Sequence, residues 1–442
     1  AAQTGSLIMI ADFCFDHRLW MVLAALAHAG GFPTQIQGQT PRTEDVREAI
    51  DRGVKYLESR QLSDGSFPAD GVLTHPVDVT CLATLAFLGA GLTTDSFAVR
   101  GALGYLRNRP TQHADSTHEL SLQILVWLAT EEPADFSRAA ALLPRLLERQ
   151  TEAGGWAPRV AETAEPSLSH LALLALRDAV HAGLPVNRDV WERARRYWQA
   201  TQNAEGSWGD APAVSLPLRL EESPQAGTTL TAVTALTICR HMLSIETSLT
   251  ADREIDCCRS LNADESLERG IRWLQQEMRR KSAAADAKQS IIYYLHGLEQ
   301  TGRHGGQAFF AEQDWYAHGV AALMQRQQRG TGHWTGNHAV MSTSHAVLFL
   351  SQSLAPIIIS KLRFGPRDPA EPRVIIGQDW NRHPCDVGNL AAFIAGRRGW
   401  PRKLATQEID LESADPESGL EALQRAPVVF LTGTTAASAV LA

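Results

Sequence analysis

One short pattern recurs four times along the 442-residue chain and limits its fold more than any other feature. In each copy a helical pattern ends in Leu or Trp and then Gln, and a polar loop leads to Gly-x-aromatic. A second helical pattern, rich in small and aliphatic residues, follows and opens with Ser or Thr. Such a repeat predicts paired α-helices. The copies are marked by Gln61 with Phe67, Gln150 with Trp156, Gln202 with Trp208, and Gln327 with Trp334.

Two weaker copies fill the gaps between the clear ones. Residues 99–106 with 120–128 form one pair, and residues 267–278 with 291–298 form the other. Each pair has apolar stripes on two faces, so neighbouring pairs must stack to bury them. About six pairs are predicted to close a ring, with the Ala-, Thr- and Leu-rich second helices inside and the Arg- and Glu-bearing first helices outside.

The spacing of Gln and Gly-x-Trp resembles the QW-type motif of squalene cyclases and protein prenyltransferases. This resemblance covers roughly residues 42–360 and implies an α/α toroid. Residues 293–299 and 314–316 are similar to a bacterial branch, often exported, in which an α/β domain of unknown function follows the toroid. The repeat specifies a fold rather than an activity.

Residues 361–442 are predicted to form the first part of that α/β domain. The strands are expected at 374–377, 405–411 and 428–433, with helices at 387–397 and 416–424. This β-α-β-α-β order is the start of a parallel, doubly wound sheet. Residues 379–390 and 428–433 resemble the opening of the branch's domain, whose fold is similar to the flavodoxin-like class I glutamine amidotransferases. The resemblance stops near Thr434, so we predict a fragment of a longer protein.

The first 36 residues are predicted to be a leader or signal-like segment. His17 and Arg18 precede the apolar run 19–27, and Ala27-His28-Ala29 is typical of a cleavage step. We therefore expect export to the periplasm or cell envelope, and a cytoplasmic protein if the segment is not a leader. Apart from this segment, no apolar run is long enough to span a bilayer.

The charge of the chain argues against a nucleic-acid partner, and its cysteine spacing argues against a disulfide framework or a zinc module. The net charge is −8 and no stretch gathers five Lys or Arg, so nucleic acid is not a predicted partner. The six cysteines are scattered without a C-x-x-C pair, which fits neither a disulfide framework nor a four-ligand zinc module.

The sequence lacks the motif that supplies the catalytic acid of a terpene cyclase. That chemistry uses an Asp-x-Asp-Asp run, whereas Asp252–Asp256 reads Asp-Arg-Glu-Ile-Asp and Asp410–Asp415 lies in the other domain. Both segments are predicted to be solvated loops. Aromatic residues make up only 7% of the chain, which is few for a cation-stabilising lining.

A second candidate site is a zinc site of the kind found in protein prenyltransferases. Asp256 and Cys258 have the required Asp-x-Cys spacing, and His318 follows at a distance. Their polar loop places them at the rim, so no metal and no other cofactor is predicted. His333 and His338 are assigned to packing or surface roles, and Cys385 to a structural one because no strand-to-helix elbow precedes it.

These observations favour a non-catalytic or ligand-binding toroid, an interaction or envelope module of an exported bacterial protein. Its partner would be a protein or a small apolar or carbohydrate ligand. The alternative is an enzyme that acts on an isoprenoid or a polysaccharide in the ring cavity, resembling a terpene cyclase, a lyase or a zinc prenyltransferase. The predicted ligand-binding residues supply aromatic faces and polar groups near inner helices: Tyr293, Tyr294, Trp315, Tyr316 and His345.

Overall fold

The computed structural model describes residues 8–10, 43–69, 75–109, 116–160, 162–209, 224–247, 264–282, 297, 301, 309–310, 313–336, 338–351, 357–369, 375, 379–381, 386–395, 404–410 and 428–433. Within these ranges the chain divides into two compact units. The helical unit spans residues 42–256 and 261–355, and the sheet unit contains residues 356–442 together with strand β1 (Ile8–Ile10).

Paired helices make up the helical unit. In the described ranges they are α1 (Thr43–Arg60), α2 (Pro76–Gly89), α3 (Phe97–Arg107), α4 (Thr117–Ala129), α5 (Pro133–Leu147), α6 (Pro166–His181), α7 (Arg188–Ala200), α8 (Pro224–Thr247), α9 (Glu265–Ser282), α10 (Trp315–Arg326) and α11 (Ala339–Ser351). A short antiparallel ribbon of β2 (Phe309–Phe310) and β3 (Gln313–Asp314) precedes α10.

The helices form two layers. Inner helices α2, α4, α6 and α8 each pack against the next, and α11 packs against α2. Outer helices α1, α3, α5, α7 and α9 pack against this inner layer. Because α11 contacts both α1 and α2, the end of the unit lies beside its beginning, as a ring requires. The predicted α/α toroid is confirmed, and the weaker pair at 99–128 is α3 with α4.

The other weaker pair is described only in part. Its first half lies in α9, whereas the segment 291–298 is outside the described residues except for Gly297. Thr301 nevertheless contacts the inner layer, because its hydroxyl lies 2.9 Å from that of Thr234 in α8.

The repeated Gln joins one outer helix to the next. Its side-chain amide donates both to the carbonyl of the loop Gly in its own copy and to a carbonyl in the first turns of the following outer helix. The second acceptors are Ala98 for Gln61, Val190 for Gln150, Ser266 for Gln202, and Ala49 for Gln327, at 2.8–2.9 Å. The fourth copy therefore bonds to the first helix, across |i−j| = 278 positions of sequence.

The aromatic residue of each copy ties the loop to the next inner helix. Its backbone N–H donates to the hydroxyl of the Ser or Thr near that helix's start: Phe67 to Thr80, Trp156 to Ser169, Trp208 to Thr229, and Trp334 to Thr343. Each of the three Trp indoles also donates to a carbonyl of its own outer helix, at 2.8–2.9 Å. These bonds satisfy polar groups that the ring would otherwise bury unpaired.

The weaker copy at residues 99–128 joins its outer helix to the next one by a different contact. Arg107 at the end of α3 donates from Nε to Asp135 in the first turn of α5, at 3.0 Å, and the Asp135 side chain is fully buried. A charged pair thus replaces the Gln at the junction where the motif is missing.

The sheet unit is built on parallel strands in the order β1-β6-β4-β5. Its other elements in the described ranges are β4 (Ile357–Arg363), α12 (Asp386–Ala395), β5 (Leu404–Asp410) and β6 (Val428–Phe430), together with a 3-10 turn at Asp379–Asn381. Helix α12 packs against β4 and β5. Ile359, Val387, Ala391 and Phe430 form its small apolar core.

The sheet contains a strand, β4, that was not among the predicted ones. β4 begins at Ile357, and the predicted boundary between residues 360 and 361 falls inside it. Of the predicted strand at 374–377, only Ile375 is described, in an isolated bridge to Arg367. The toroid is predicted to end at residue 360, which assigns the Ile357–Ile359 run to it, but Ile359 is covered by α12 and belongs to a buried strand of the sheet unit.

Three residues of the predicted leader, Ile8–Ile10, pair with β6 as strand β1. The leader itself and the export that it implies stay predictions. No helix in the described ranges combines the length and the hydropathy needed to cross a bilayer.

Candidate functional site

The first turns of the inner helices lie at one end of the ring. An outer helix returns the chain between consecutive inner helices, so the inner helices are parallel and begin at the same end. The outer face of each inner helix is covered by outer helices, and its flanks are covered by neighbouring inner helices. Partly exposed residues in this layer therefore face the ring interior.

A carboxylate and an imidazole meet at this end. Asp78, in the first turn of α2, lies 3.1 Å from the Nδ1 atom of His118, in the first turn of α4. The Asp78 side chain is 9% exposed and that of His118 is 25% exposed. The second carboxylate oxygen, Asp78 Oδ1, is buried and has no hydrogen-bond partner. A buried acceptor without a partner is costly unless a ligand or water satisfies it.

The charge state of His118 depends on its carboxylate neighbours. Burial by itself lowers the pKa of His118, but the charge of Asp78, the hydrogen bond to it and the charge of Glu119 together raise the pKa above its ordinary value. The imidazolium is therefore favoured, and it stabilises negative charge on Asp78.

Two neighbours of the pair stay neutral. Burial, with the charges of Asp78 and Glu119, raises the pKa of the Cys81 thiol well above its ordinary value, so this group is a poor nucleophile. Burial and then the charge of His118 lower the pKa of His345, in α11, to about 4. His345 thus contributes a neutral imidazole on the other side of α2.

His170, in the first turns of α6, is a second neutral imidazole at this end of the ring. Burial lowers its pKa to about 4, and its Nε2 atom is buried without a hydrogen-bond partner. Groups whose surroundings shift their pKa values in opposite directions are candidates for separate acid and base roles. His118 is favoured in its charged form, and His170 is able to accept a proton.

Deeper positions on the same helix faces are aliphatic. Leu85, Leu125 and Leu348 are partly buried, and we call them the leucine layer. Leu85 and Leu125 lie seven residues, about two turns, beyond Asp78 and His118, so they share their faces. α2 and α11 are close at this depth, since a Cβ atom on Gly89 would lie 3.1 Å from Leu348. The interior thus changes from a titratable end to an apolar middle.

Of the predicted ligand-binding residues, the structure places His345 next to this pair. Trp315 and Tyr316 begin α10, but their side chains are outside the described residues, as are Tyr293 and Tyr294 altogether. The binding role of these five residues stays a prediction.

The predicted alternative zinc ligands are not brought together in the described part of the chain. Asp256 and Cys258 lie outside it, and His318 lies in α10 without a described side chain. Among the described residues no group of three or more His, Cys, Asp or Glu could hold a metal ion. His333 stacks on Tyr56 with ring centroids 4.7 Å apart, and His338 accepts from the Met341 N–H near the start of α11.

Sequence reasoning missed the pair itself. The available signal was a single Asp in an otherwise apolar inner helix, two residues before Thr80 of the repeat. His170 likewise follows the repeat hydroxyl of Ser169 directly. Neither stands in a charged run or a known motif, so a motif search does not reach them.

An α/α toroid with a buried carboxylate–imidazole pair in its inner layer is the class that the geometry defines. No protein-family model and no curated protein sequence matches the chain. Among solved structures, the apo form of the type II terpene cyclase MstE from Scytonema matches 71% of this chain and 99% of its own, with 14% identity and a TM-score of 0.48.

Two hydrolases match over similar lengths. The glycoside hydrolase family 76 mannosidase Bt3792 from Bacteroides thetaiotaomicron covers 70% of this chain and 97% of its own, with 10% identity and a TM-score of 0.45. An unsaturated glucuronyl hydrolase specific for heparin covers 70% and 96%, with 9% identity and a TM-score of 0.42.

The expectation of a non-catalytic or ligand-binding interaction module is wrong by this comparison. The three matching structures named above are a cyclase and two hydrolases, which are enzymes. Substrate and reaction depend on the side chains that this chain itself places in the ring.

Proposed function

We propose that this protein is an enzyme that transfers a proton to an isoprenoid substrate bound inside the ring. The observation that carries the proposal is the unpartnered, buried Oδ1 atom of Asp78 beside His118, at the end of a ring whose middle is lined by leucines. A general acid needs a fixed carboxyl group facing the substrate, and an apolar chain needs an apolar channel beneath it.

The proton-transfer step follows from the geometry of the pair. The step uses the form of the pair in which Asp78 carries a proton in addition to the proton of the His118 imidazolium. Asp78 gives that proton to one carbon of a substrate double bond, whose π electrons form the new C–H bond and leave a carbocation on the other carbon. The imidazolium form of His118 stabilises the carboxylate left behind. Loss of a proton from a carbon next to the cation restores a double bond, and neutral His170 accepts that proton.

The predicted polysaccharide substrate is less well supported than the isoprenoid. Leu85, Leu125 and Leu348 offer no hydrogen bonds to sugar hydroxyls, and desolvating those hydroxyls against aliphatic walls is unfavourable. The titratable groups are concentrated at one end of the inner helices, which suits a substrate that needs polar chemistry at one point and apolar contact along its length.

Product analysis on two substrate panels tests this proposal. The protein is incubated with linear polyprenyl compounds and, separately, with oligosaccharides, and products are identified by mass spectrometry. Isomerised or cyclised polyprenyl products are expected, and Asp78→Asn should reduce their formation by about 10²–10⁴-fold, as is usual for loss of a general acid. Asp178→Asn, on an inner helix but ion-paired with Arg177 beyond the leucine layer, is the matched control and should keep activity.

Turnover of oligosaccharides alone, or equal activity of the Asp78→Asn and wild-type proteins, would overturn the assignment. A circular dichroism spectrum of each variant distinguishes loss of the acid from loss of the fold.

We also propose that the sheet unit is the opening of a flavodoxin-like domain. Among the strands that follow the helical unit, β4, β5 and β6 are the first, second and third in chain order, and their spatial order 2-1-3 is that of a doubly wound flavodoxin-like sheet. Strand β1, from the start of the chain, adds beside β6. The parallel register of β4 with both neighbours supports this topology.

A further inference from the structure

A second cluster of charged side chains lies in the sheet unit, at the carboxyl end of β4. Lys361 is only 3% exposed, and its ammonium donates to Asp386 at 2.7 Å and to Asn381 at 3.0 Å. Asp386 begins α12 and also accepts from the Val387 N–H. Lys361 is therefore already neutralised and holds the turn at 379–381 and the start of α12 in place.

Arg363 stands two residues further along the same face of β4. Its guanidinium carbon lies 5.1 Å from the centre of the Trp380 ring, which fixes the plane of the group. Its Nε atom is buried without a hydrogen-bond partner, and no ion pair joins Arg363 to any residue in the described ranges. A partly buried guanidinium without a counter-charge is unfavourable, and its fixed fork suits a two-oxygen acceptor.

The position of Arg363 is the one where open parallel sheets bind ligands. The chain leaves β4 towards β5 on one side and returns as β6 on the other, so the strand order reverses at β4. Ligands bind outside the carboxyl ends of strands at such a switch point. Arg363 is the last residue of β4, and the β4–β6 register continued by two residues brings Thr432 beside it.

We propose that the carboxyl end of β4 binds an oxyanion, a phosphate or carboxylate group of a small ligand, with Arg363 as its principal contact. One oxygen accepts from the Nε–H of Arg363 and a second from its neighbouring amino group, and the hydroxyl of buried Thr432 is placed to donate as well. Lys361 acts as a positioning residue, because its ammonium is occupied by Asp386 and Asn381.

Calorimetric titration of the full chain at constant ionic strength tests the proposal, with inorganic phosphate and succinate as probes and chloride as the reference ion. Saturable binding of one probe is expected, and Arg363→Gln should weaken it at least about tenfold, the loss expected for a charge-assisted pair. Arg363→Lys should be intermediate, since a point charge cannot make the two parallel bonds. Arg329→Gln, at an exposed site in the helical unit, is the matched control.

A second measurement separates ligand binding from a purely structural role. Asp410 is the register partner of Arg363 on β5, so it is the residue to test as a counter-charge within the fold. If Arg363→Gln and Asp410→Asn each destabilise the protein by equal amounts, and the double variant adds nothing, Arg363 is a structural ion-pair partner and the proposal fails.

The proposal also fails if neither probe saturates or if Arg363→Gln binds phosphate and succinate as tightly as wild type does. The nitrogen-15 NMR signal of the Arg363 Nε–H, assigned by its absence in Arg363→Lys, should shift with the same midpoint as the calorimetric titration. Phosphate binding without succinate binding would identify a phosphate-bearing ligand, and the reverse result a carboxylate.

Discussion

Two partly buried histidines of the inner layer differ because their nearest charges differ. His118 faces Asp78 and Glu119, which raise its pKa despite burial. His170 is influenced by burial only, so its pKa falls to about 4. At the scale of single residues, the positions of the Asp78 and Glu119 carboxylates determine which histidine of the ring is charged.

Titration of His118 should show this coupling directly. The NMR signals of its imidazole are expected to titrate above the ordinary value for His, and Asp78→Asn should lower that pKa because the largest favourable charge is removed. Because the folded pKa is raised, the pair's stabilisation is complete below the ordinary pKa and is lost as the pH rises through the raised value. An unchanged His118 pKa in Asp78→Asn would contradict the assignment.

Acid should destabilise the ring through its neutral histidines. Burial lowers the pKa of His170 to about 4, so between about pH 6.5 and about pH 4 the unfolded chain binds a proton that the folded chain does not. The free energy of unfolding should therefore fall as pH falls through this window, as urea denaturation at pH 7 and pH 5 would measure.

His170→Asn should reduce this pH-dependent loss, whereas the control His75→Asn, at an exposed position, should leave it unchanged. If the free energy of unfolding fell equally between pH 7 and pH 5 in His170→Asn and in wild type, His170 would be protonated in the folded ring as readily as in the unfolded chain.

At the scale of elements, the loop of each copy is a connector between two outer helices. Its Gly has a positive φ, and the next outer helix also leaves no room for a Cβ atom. A Cβ on Gly154 would lie 2.1 Å from the carbonyl oxygen of Arg193, and one on Gly206 2.8 Å from that of Arg269. The presence of Gly four or five residues after the Gln in each of the four copies thus has a steric reason.

Gly154→Ala should destabilise the helical unit by about 2 kcal/mol or more, since both backbone strain and a backbone clash oppose it. Gly183→Ala is the matched control, because Gly183 also has a positive φ but has nothing near its Cβ position. Thermal unfolding of the two variants measures the difference, and equal loss in both would show that strain alone matters.

At the scale of the whole helical unit, Gln327 makes the same link as the other copies but joins the last copy to the first helix. Its amide donates to Ala49, and its carbonyl oxygen accepts from Arg52 at 2.6 Å. Gln327→Ala should cost about 1–3 kcal/mol because it leaves buried polar groups unpaired.

Hydrogen exchange of α1 and α10 measures the consequence for the ring. Gln327→Ala should increase exchange in these two helices more than elsewhere, whereas Gln202→Ala should do so in α7 and α9. Uniform exchange changes in both variants would contradict a role for Gln327 in joining the ends of the unit.

The sequence by itself determined the paired helices, their repeat and the inner and outer layers. Each copy carries its Gln, Gly, aromatic residue and hydroxyl within one loop and the helix after it, so the signal is local. Tertiary structure decided which charges meet. Asp78 and His118 belong to different copies, and only the stacking of α4 on α2 brings them to 3.1 Å.

The same distinction applies to the sheet unit. Strands β5 and β6 were predicted from local apolar runs, but β4 was not, because the boundary predicted at residue 360 divides it and its burial by α12 depends on packing rather than on sequence pattern. The site at Arg363 likewise exists only because parallel pairing places the ends of β4 and β6 together. Local pattern therefore determined the elements, and packing between distant segments determined the chemistry.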